Sequence, residues 1–168
     1  MTKVQIKLVD GRTMVAELYE DKAPITCKNF LELVDKGFYT GLIFHRVIPG
    51  FMIQGGGMYQ TLEEKGGLTP IKGEFNSNGV KNPVKHTVGV LSMARTMDPN
   101  SATSQFFICV ADVPYLDGEY AAFGKLVDEE SEKVAIDISK VQTVRFRWYD
   151  DVPLTPIVID SIKRVSEV

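Results

Sequence analysis

The chain has 168 residues, of which 44% are hydrophobic and 24% charged, a composition that predicts a single globular domain over residues 1–168. Its 19 Lys and Arg residues against 22 Asp and Glu residues give a net charge of −3, which argues against nucleic acid or an anionic membrane as a partner held by bulk charge. No stretch approaches the roughly 20 apolar residues of a membrane span, and the first residues lack the apolar run of a signal peptide. We therefore expect a cytoplasmic protein that makes no membrane contact.

The first predicted elements along the chain are a hairpin and a helix. Apolar and polar residues alternate over 3–8, which is the period of a half-buried strand, and an Asp-Gly dipeptide at 10–11 suits a tight turn into a returning strand over 14–19. A helix begins near Pro24, because proline at the first helical position has no N–H to leave unpaired. Gly37 marks its end.

The rest of the chain predicts short strands and one further helix. Short apolar runs punctuated by Gly, Pro and Asn predict strands at 43–48, 51–54, 87–93, 106–110, 121–126 and 157–165. The second helix is predicted over 129–140, with glutamates in its first turn, where the helix dipole favours anions. Many short strands with only two helices predict a mostly-β fold. Its simplest form is a closed antiparallel barrel, since closure removes sheet edges and the helices can cover the open ends.

Motifs for several other kinds of site are absent or incomplete. Cys27 and Cys109 form no CxxC pair and are interpreted as two buried reduced thiols. His45 and His86 have no Cys or His neighbour at zinc-ligand spacing, so no metal site is expected. The glycine cluster at 55–57 lacks the spacing of a phosphate loop and is interpreted as a turn at a strand end.

Two uncharged segments stand out. Residues 47–62 and 99–111 contain no Asp, Glu, Lys or Arg, and they are the longest such stretches in the chain. Arg46 borders the first and, in a strand, shares its face with apolar residues. From spacing alone, the simplest interpretation of Arg46 is an edge or snorkelling side chain, and that of Phe107 in the second segment is core packing.

At these segments the sequence resembles a known family. The run FHRVIPGFMIQGG at 44–56 closely resembles the signature of the cyclophilin family, and LSMA at 91–94, SQFFI at 104–108 and FGK at 123–125 follow in the family's order and similar spacing. The resemblance covers nearly the whole chain, from about Val4 to Val165. Residues 94–104 are similar to the bacterial-type branch.

The resemblance implies both a fold and an activity. The fold would be a closed eight-stranded antiparallel β-barrel capped by two α-helices. The activity would be peptidyl-prolyl cis/trans isomerisation, which accelerates rotation about X–Pro bonds during protein folding. The expected partners are proline-containing peptides and unfolded or folded client proteins, with no cofactor or metal, and the chain is expected to act as a monomer.

The resemblance also assigns site residues. Arg46 would stabilise the twisted amide, and Gln54 would orient Arg46 or hold a peptide carbonyl. Phe51, Met52, Phe107 and Leu116 would form the proline pocket. The full assignment is Arg46, Gln54 and Phe51 as catalytic residues, with Met52, Ala94, Arg95, Gln105, Phe107, Tyr115, Leu116 and Tyr120 binding the substrate.

Three positions depart from the pattern of many eukaryotic cyclophilins. Tyr115 stands where they have tryptophan, Tyr120 where they have histidine, and Arg95 where they have asparagine. We expect isomerase activity to persist and cyclosporin-type ligands to bind more weakly. These substitutions leave open a non-catalytic proline-peptide binding module or a holdase chaperone. A hydrolase built around His86 has no supporting motif.

Overall fold

A computed structural model describes residues 1–165 of the chain, which form ten strands and two helices. The strands are β1 (Lys3–Leu8), β2 (Thr13–Leu18), β3 (Arg46–Ile48), β4 (Met52–Gly55), β5 (Val90–Met93), β6 (Phe106–Cys109), β7 (Ala122–Leu126), β8 (Thr143–Phe146), β9 (Tyr149–Pro153) and β10 (Ile159–Arg164). The helices are α1 (Pro24–Asp35) and α2 (Glu129–Ser139), and short 3-10 turns cover Asn76–Asn78 and Pro114–Leu116.

Eight of the strands form one antiparallel sheet in the order β10–β1–β2–β7–β5–β6–β4–β3. Strands β8 and β9 pair separately as a hairpin. The predicted mostly-β architecture, with eight antiparallel strands and two helices, is therefore confirmed. Full closure of the barrel is not, because the sheet curls into a half-barrel with β10 and β3 at its two edges.

The two edges approach each other through irregular backbone. Ile43 and Val158 form an isolated bridge, Gly41 N–H donates to the Ile159 carbonyl at 2.8 Å, and Ile159 N–H donates to the Leu42 carbonyl at 2.8 Å. The segment leading into β3 runs through successive turns, so its backbone groups find partners without forming a ladder. This explains why a sequence whose strand count suggests a barrel stops short of closing one.

The helices cover the interior of the curl. Helix α2 contacts β2, near one end of the strand order, and also β3 and β4, at the other end. It therefore crosses the interior of the curled sheet. Helix α1 buries an apolar face, and its Phe30 ring lies 5.1–5.5 Å from the rings of Tyr39, Phe106 and Phe123. No helix among residues 1–165 has both the length and the apolar character needed to cross a membrane.

The long connection between β4 and β5 is held by buried polar contacts. The Glu74 carboxylate accepts hydrogen bonds from the Thr26 backbone N–H at 2.6 Å and the Thr26 hydroxyl at 2.8 Å, in the first turn of α1. The Asn82 amide donates to the Glu74 and Ala122 carbonyls at 3.0 and 2.9 Å. Since Ala23 offers no side-chain cap to α1, Glu74 satisfies a backbone donor that the helix leaves free.

The hairpin formed by β8 and β9 was not predicted from the sequence. Its turn contains Arg147 with φ of 57°, a left-handed conformation that the sequence signals only weakly without Gly or Asn. Its strands are half-exposed and carry several charges, so they lack the apolar alternation of the predicted strands. The predicted strands and helices all have counterparts, mostly shorter than expected at one end.

Candidate active site

The cavity that contains most of the predicted site residues, called the main cavity below, has a volume of about 200 Å³ and is lined in part by strands β3, β4 and β6 and the turn at 114–116. Nine of the eleven predicted site residues line it. They are Arg46, Phe51, Met52, Gln54, Ala94, Arg95, Phe107, Leu116 and Tyr120. The structure therefore brings together, at one place, residues that are up to 74 positions apart in the sequence (from 46 to 120).

Strand register aligns the centre of this cavity. Arg46 pairs with Gln54 across β3 and β4, and Gln54 pairs with Phe107 across β4 and β6. Directly opposed residues in an antiparallel sheet project to the same face, so the three side chains form a row across three strands. With strands about 4.8 Å apart, the Arg46 and Phe107 backbones are separated by roughly 10 Å, the scale of a dipeptide.

The chemistry changes along this row. Arg46 is exposed and forms no ion pair within the part of the chain that the structure describes. At the other end, Phe107, Met52 and Leu116 belong to an apolar cluster that is at least nine-tenths buried. The cavity thus presents an unpaired cation beside an apolar floor.

Gln54 is held by a neighbouring amide. Its Nε2 donates to the Gln105 Oε1 at 3.0 Å. Gln105 itself lies outside the main cavity and lines an adjoining one, where Gln54, Ala94 and Arg95 are shared. The two cavities are therefore contiguous, and the Gln54–Gln105 pair stands between them.

The glycine cluster is required by this packing. A Cβ on Gly57 would overlap the Gln105 side chain, and one on Gly55 would lie 2.5 Å from the Ile43 carbonyl oxygen. Gly56 has φ of 88°, which disfavours any side chain. The predicted turn at the end of a strand is present, and its glycines also let the backbone approach Gln105.

The two tyrosines that depart from the family pattern occupy different places. Tyr115 is 69% exposed at the rim, its ring 6.1 Å from that of Phe51. Tyr120 is half-buried and meets the Phe107 ring edge-on, at 5.7 Å and 85°. Tyr120 therefore forms a wall of the main cavity, whereas Tyr115 lies outside it.

A Ser–His–Asp arrangement lies beneath the cavity floor, and sequence reasoning missed it. His86 Nδ1 is 2.9 Å from Asp117 Oδ1, and His86 Nε2 is 2.9 Å from Ser92 Oγ. Burial lowers the pKa of His86 although Asp117 acts in the opposite direction. Ser92 is fully buried and the His86 ring stacks behind Phe107, so no substrate reaches the hydroxyl. The arrangement supports the floor and gives no basis for the hydrolase alternative.

Among residues 1–165 no group of three or more His, Cys, Asp or Glu side chains is placed to hold a metal ion. The two cysteines are free and buried, and burial raises the pKa of both Cys27 and Cys109 to about 12. Both thiols are therefore held in the protonated, unreactive form.

His45, next to Arg46, is also shielded from solvent. It is 6% exposed, and its Nδ1 makes no hydrogen bond within the described residues. Burial, reinforced by the charge of Arg46, lowers the pKa of His45 to about 4 from an ordinary value of 6.5. The folded protein therefore holds this imidazole neutral where the unfolded chain would protonate it.

We expect acidification to weaken the fold through His45. Between about pH 6.5 and pH 4 the unfolded chain binds this proton and the folded protein does not, so the free energy of unfolding falls by up to about 1.4 kcal/mol per pH unit. The contribution of the lowered His45 pKa to the free energy of unfolding is fully present above about pH 6.5. The free energy of unfolding, measured by urea denaturation at several pH values from 4.5 to 7.5, should fall less steeply with decreasing pH in His45→Phe than in the wild type. Parallel curves for the two proteins would contradict the assignment.

Comparison with known proteins agrees with this architecture. Residues 3–164 match the family model for the cyclophilin type peptidyl-prolyl cis-trans isomerase/CLD. The chain is 48% identical over 155 residues to peptidyl-prolyl cis-trans isomerase A of Dickeya dadantii, covering 89% of this chain and 78% of that one. It is 46% identical over 162 residues to peptidyl-prolyl cis-trans isomerase B of Escherichia coli, covering 92% and 94%.

Solved structures give the same result. A cyclophilin type peptidyl-prolyl cis-trans isomerase from Cryptosporidium parvum superimposes with a TM-score of 0.83 at 33% identity over 99% of both chains. A second structure of that protein, determined in the presence of the dipeptide Ala-Pro, has a TM-score of 0.82 and covers 98% of this chain and 99% of that one. The chain belongs to the cyclophilin-type family of peptidyl-prolyl cis-trans isomerases, as its sequence predicted.

Proposed function

We propose that the main cavity binds the X–Pro segment of a peptide and that Arg46 stabilises its twisted amide. Rotation about an amide bond has a barrier of about 18–20 kcal/mol because resonance gives the C–N bond partial double-bond character. No covalent bond is made or broken during the rotation. The enzyme therefore needs neither a nucleophile nor an acid–base pair, and must instead bind the twisted amide more tightly than the planar one.

The charged Arg46 side chain is the feature of the site that can distinguish the twisted amide from the planar one. In the twisted amide the proline nitrogen loses conjugation and regains a lone pair, which accepts a hydrogen bond. The Arg46 guanidinium, which forms no ion pair with the residues that the structure describes, can donate this hydrogen bond, and it does so only when the amide is twisted. The observation that carries the proposal is the row in which exposed Arg46 stands beside Gln54 and the apolar Phe107.

The apolar floor supplies the site for the proline ring. Proline has a compact apolar ring and no N–H, so aromatic and thioether side chains suit it. Phe107, Met52 and Leu116 are buried in one cluster, and Phe51 packs against it. We assign Phe51 to the wall on the Arg46 side, and Ala94 and Gln105 to contacts with the peptide backbone.

The amide pair next to Arg46 has a positioning role in this proposal. Gln105 fixes the orientation of the Gln54 side chain through the 3.0 Å hydrogen bond. With its Nε2 engaged, Gln54 presents the remaining amide groups toward Arg46 or a peptide carbonyl. This would hold the substrate backbone while the bond beyond it rotates.

The proposal is tested by separating binding from catalysis. NMR exchange spectroscopy on a short Ala-Pro-containing peptide should show accelerated exchange between cis and trans signals when catalytic amounts of the protein are added. Peptide shifts that report binding without faster exchange would instead support the non-catalytic binding module or holdase.

The wider context is proposed on the same basis. Unfolded and folded proteins that expose proline segments are the proposed clients, and the protein acts as a monomer. Two reduced, buried cysteines suit a reducing compartment such as the cytoplasm. Cyclosporin-type ligands would bind weakly, since Tyr115 at the rim offers a smaller apolar surface than tryptophan. Sedimentation of the purified protein and titration with cyclosporin test these points.

A further inference from the structure

Arg95, which lines the main cavity, is held by several hydrogen bonds and ring contacts. Its Nε and Nη2 donate to the Glu119 carbonyl at 3.2 and 2.7 Å, and its Nη1 donates to the Thr96 carbonyl at 3.0 Å. The guanidinium carbon lies 4.9 Å from the centroid of the Phe75 ring and 4.7 Å from that of the Tyr120 ring. Both distances are within the range of a cation–π contact.

These contacts hold the Arg95 guanidinium in a fixed orientation at the cavity. Three of its five N–H groups donate to backbone carbonyls, and its guanidinium carbon lies over two aromatic rings. Neither Arg46 nor Arg95 forms an ion pair with the described residues, but only Arg95 is held by these carbonyl and ring contacts. The two arginines therefore differ in what they can do, although both line the cavity.

The contacts of Arg95 converge on Tyr120. Arg95 binds the carbonyl of Glu119, the residue immediately before Tyr120, and packs against the Tyr120 ring itself. The Tyr120 ring in turn meets Phe107 edge-on at 5.7 Å. Phe75, the other ring that Arg95 contacts, is 2% exposed and belongs to the main core, so Arg95 is also anchored to the body of the fold.

We infer that Arg95 is a positioning residue that clamps Tyr120 as the wall of the proline pocket. The inference rests on the proposed function of the main cavity and adds a role that the family pattern does not assign to this position. It also links positions 95 and 120, both of which depart from the pattern of many eukaryotic cyclophilins. A histidine at 120 would present a smaller ring to the guanidinium of Arg95. When protonated, that ring would also be a second cation. An asparagine at 95 could neither stack on Tyr120 nor reach the same carbonyls with a planar fork. The two positions form one unit.

The clamp predicts a specific pattern of kinetic effects. Arg95→Lys keeps the positive charge but loses the planar, three-nitrogen grip, so we expect KM to rise about 5-fold to 10-fold with kcat within about 2-fold of the wild type. Arg95→Ala should behave like Arg95→Lys. If charge alone mattered, Arg95→Lys would retain wild-type KM, and that result would overturn the inference.

A double-mutant cycle tests whether Arg95 acts through Tyr120. Tyr120→Ala alone should raise KM by a similar factor, and adding Arg95→Lys should then change KM by less than about 2-fold. Multiplicative effects would mean that Arg95 acts on the substrate independently, which would also overturn the inference. Arg12→Lys is the matched control, since Arg12 pairs with Asp10 in the β1–β2 turn away from the cavity.

A measurement without substrate completes the test. In the wild type, ring currents from Phe107 should shift the Tyr120 ring protons, and Arg95→Lys should move these signals toward ordinary values while Arg12→Lys leaves them in place. Unchanged Tyr120 signals in folded Arg95→Lys would contradict the clamp. A wild type that fails to accelerate cis–trans exchange would refute the proposed function, whereas an active wild type with independent effects in the cycle would refute only this inference.

Discussion

Replacing Arg46 by alanine is expected to lower kcat/KM for a proline-containing peptide by about 10²-fold to 10³-fold, the usual cost of losing one preorganised donor to a developing charge. The loss should fall mainly on kcat, because the lone pair that Arg46 would bind exists only in the twisted amide. Exchange spectroscopy gives the rate without a coupled protease and suits variants of low activity.

The fold should tolerate this change. Arg46 is exposed at the short edge strand β3, so Arg46→Ala should leave the free energy of unfolding within about 0.5 kcal/mol of the wild type. Arg145→Ala is a matched control, because Arg145 is also an exposed strand arginine and its partner, Asp150, is an exposed residue 3.5 Å away. The control should keep full activity.

Arg46→Lys separates charge from geometry. A lysine keeps the positive charge but offers a flexible point donor in place of a planar fork. We expect it to recover less than a tenth of the lost activity. An Arg46→Ala protein that is folded and as active as the wild type would refute the mechanism.

Replacing Phe106 by alanine is expected to lower the free energy of unfolding by about 3–5 kcal/mol, the range for deleting a large buried aromatic side chain. Phe106 is fully buried, and its ring lies 5.5–6.0 Å from those of Phe30, Tyr39 and Phe44. The surrounding rings are anchored on α1 and on strands or turns, so the space left by Phe106 should collapse only partly. Urea denaturation measures the loss.

The next residue along β6 provides the contrast. Phe107 projects to the other face, where it lines the main cavity and contacts Tyr120 and His86. Phe107→Ala should cost less stability, because the space it leaves opens into the existing cavity, and should raise KM by about 10-fold through lost contact with the proline ring. Phe106→Leu, a milder change, keeps the comparison possible if Phe106→Ala does not fold.

We expect the change at Phe106 to lower mainly the free energy of unfolding and the change at Phe107 to raise mainly KM. Rates are compared per folded molecule, at temperatures well below the unfolding transition. If Phe106→Leu raised KM as much as Phe107→Ala does, the assignment of the two faces would be wrong.

Much of the fold was predictable because local patterns determine it. The alternation over 3–8, the Asp-Gly turn and the stretch beginning at Pro24 each found the expected element. The hairpin at 143–153 was missed because its turn uses Arg147 in a left-handed conformation and its strands are half-exposed. Closure was overestimated because strand counts say nothing about the irregular backbone between the edges.

The site was predictable as a set of residues and unpredictable as an arrangement. The family signature selected Arg46, Gln54 and Phe107, and periodicity alone had assigned Arg46 to an edge and Phe107 to the core. Only strand register places the three in one row. The Ser92–His86–Asp117 contacts join residues 6 and 31 positions apart with no motif between them, so no local signal could have revealed them.

By itself, the sequence determined the strand-rich class, the family and the candidate site residues, because periodicity and motifs are local properties of the chain. The tertiary structure alone decided that the sheet stays open, that the uncharged segments 47–62 and 99–111 meet beside Arg46, and that the two arginines of the cavity differ in their contacts. Arg46 lines the cavity and forms no ion pair within residues 1–165, whereas Arg95 donates to the Glu119 and Thr96 carbonyls and lies over two aromatic rings. Such differences depend on long-range contacts, which spacing along the chain does not encode.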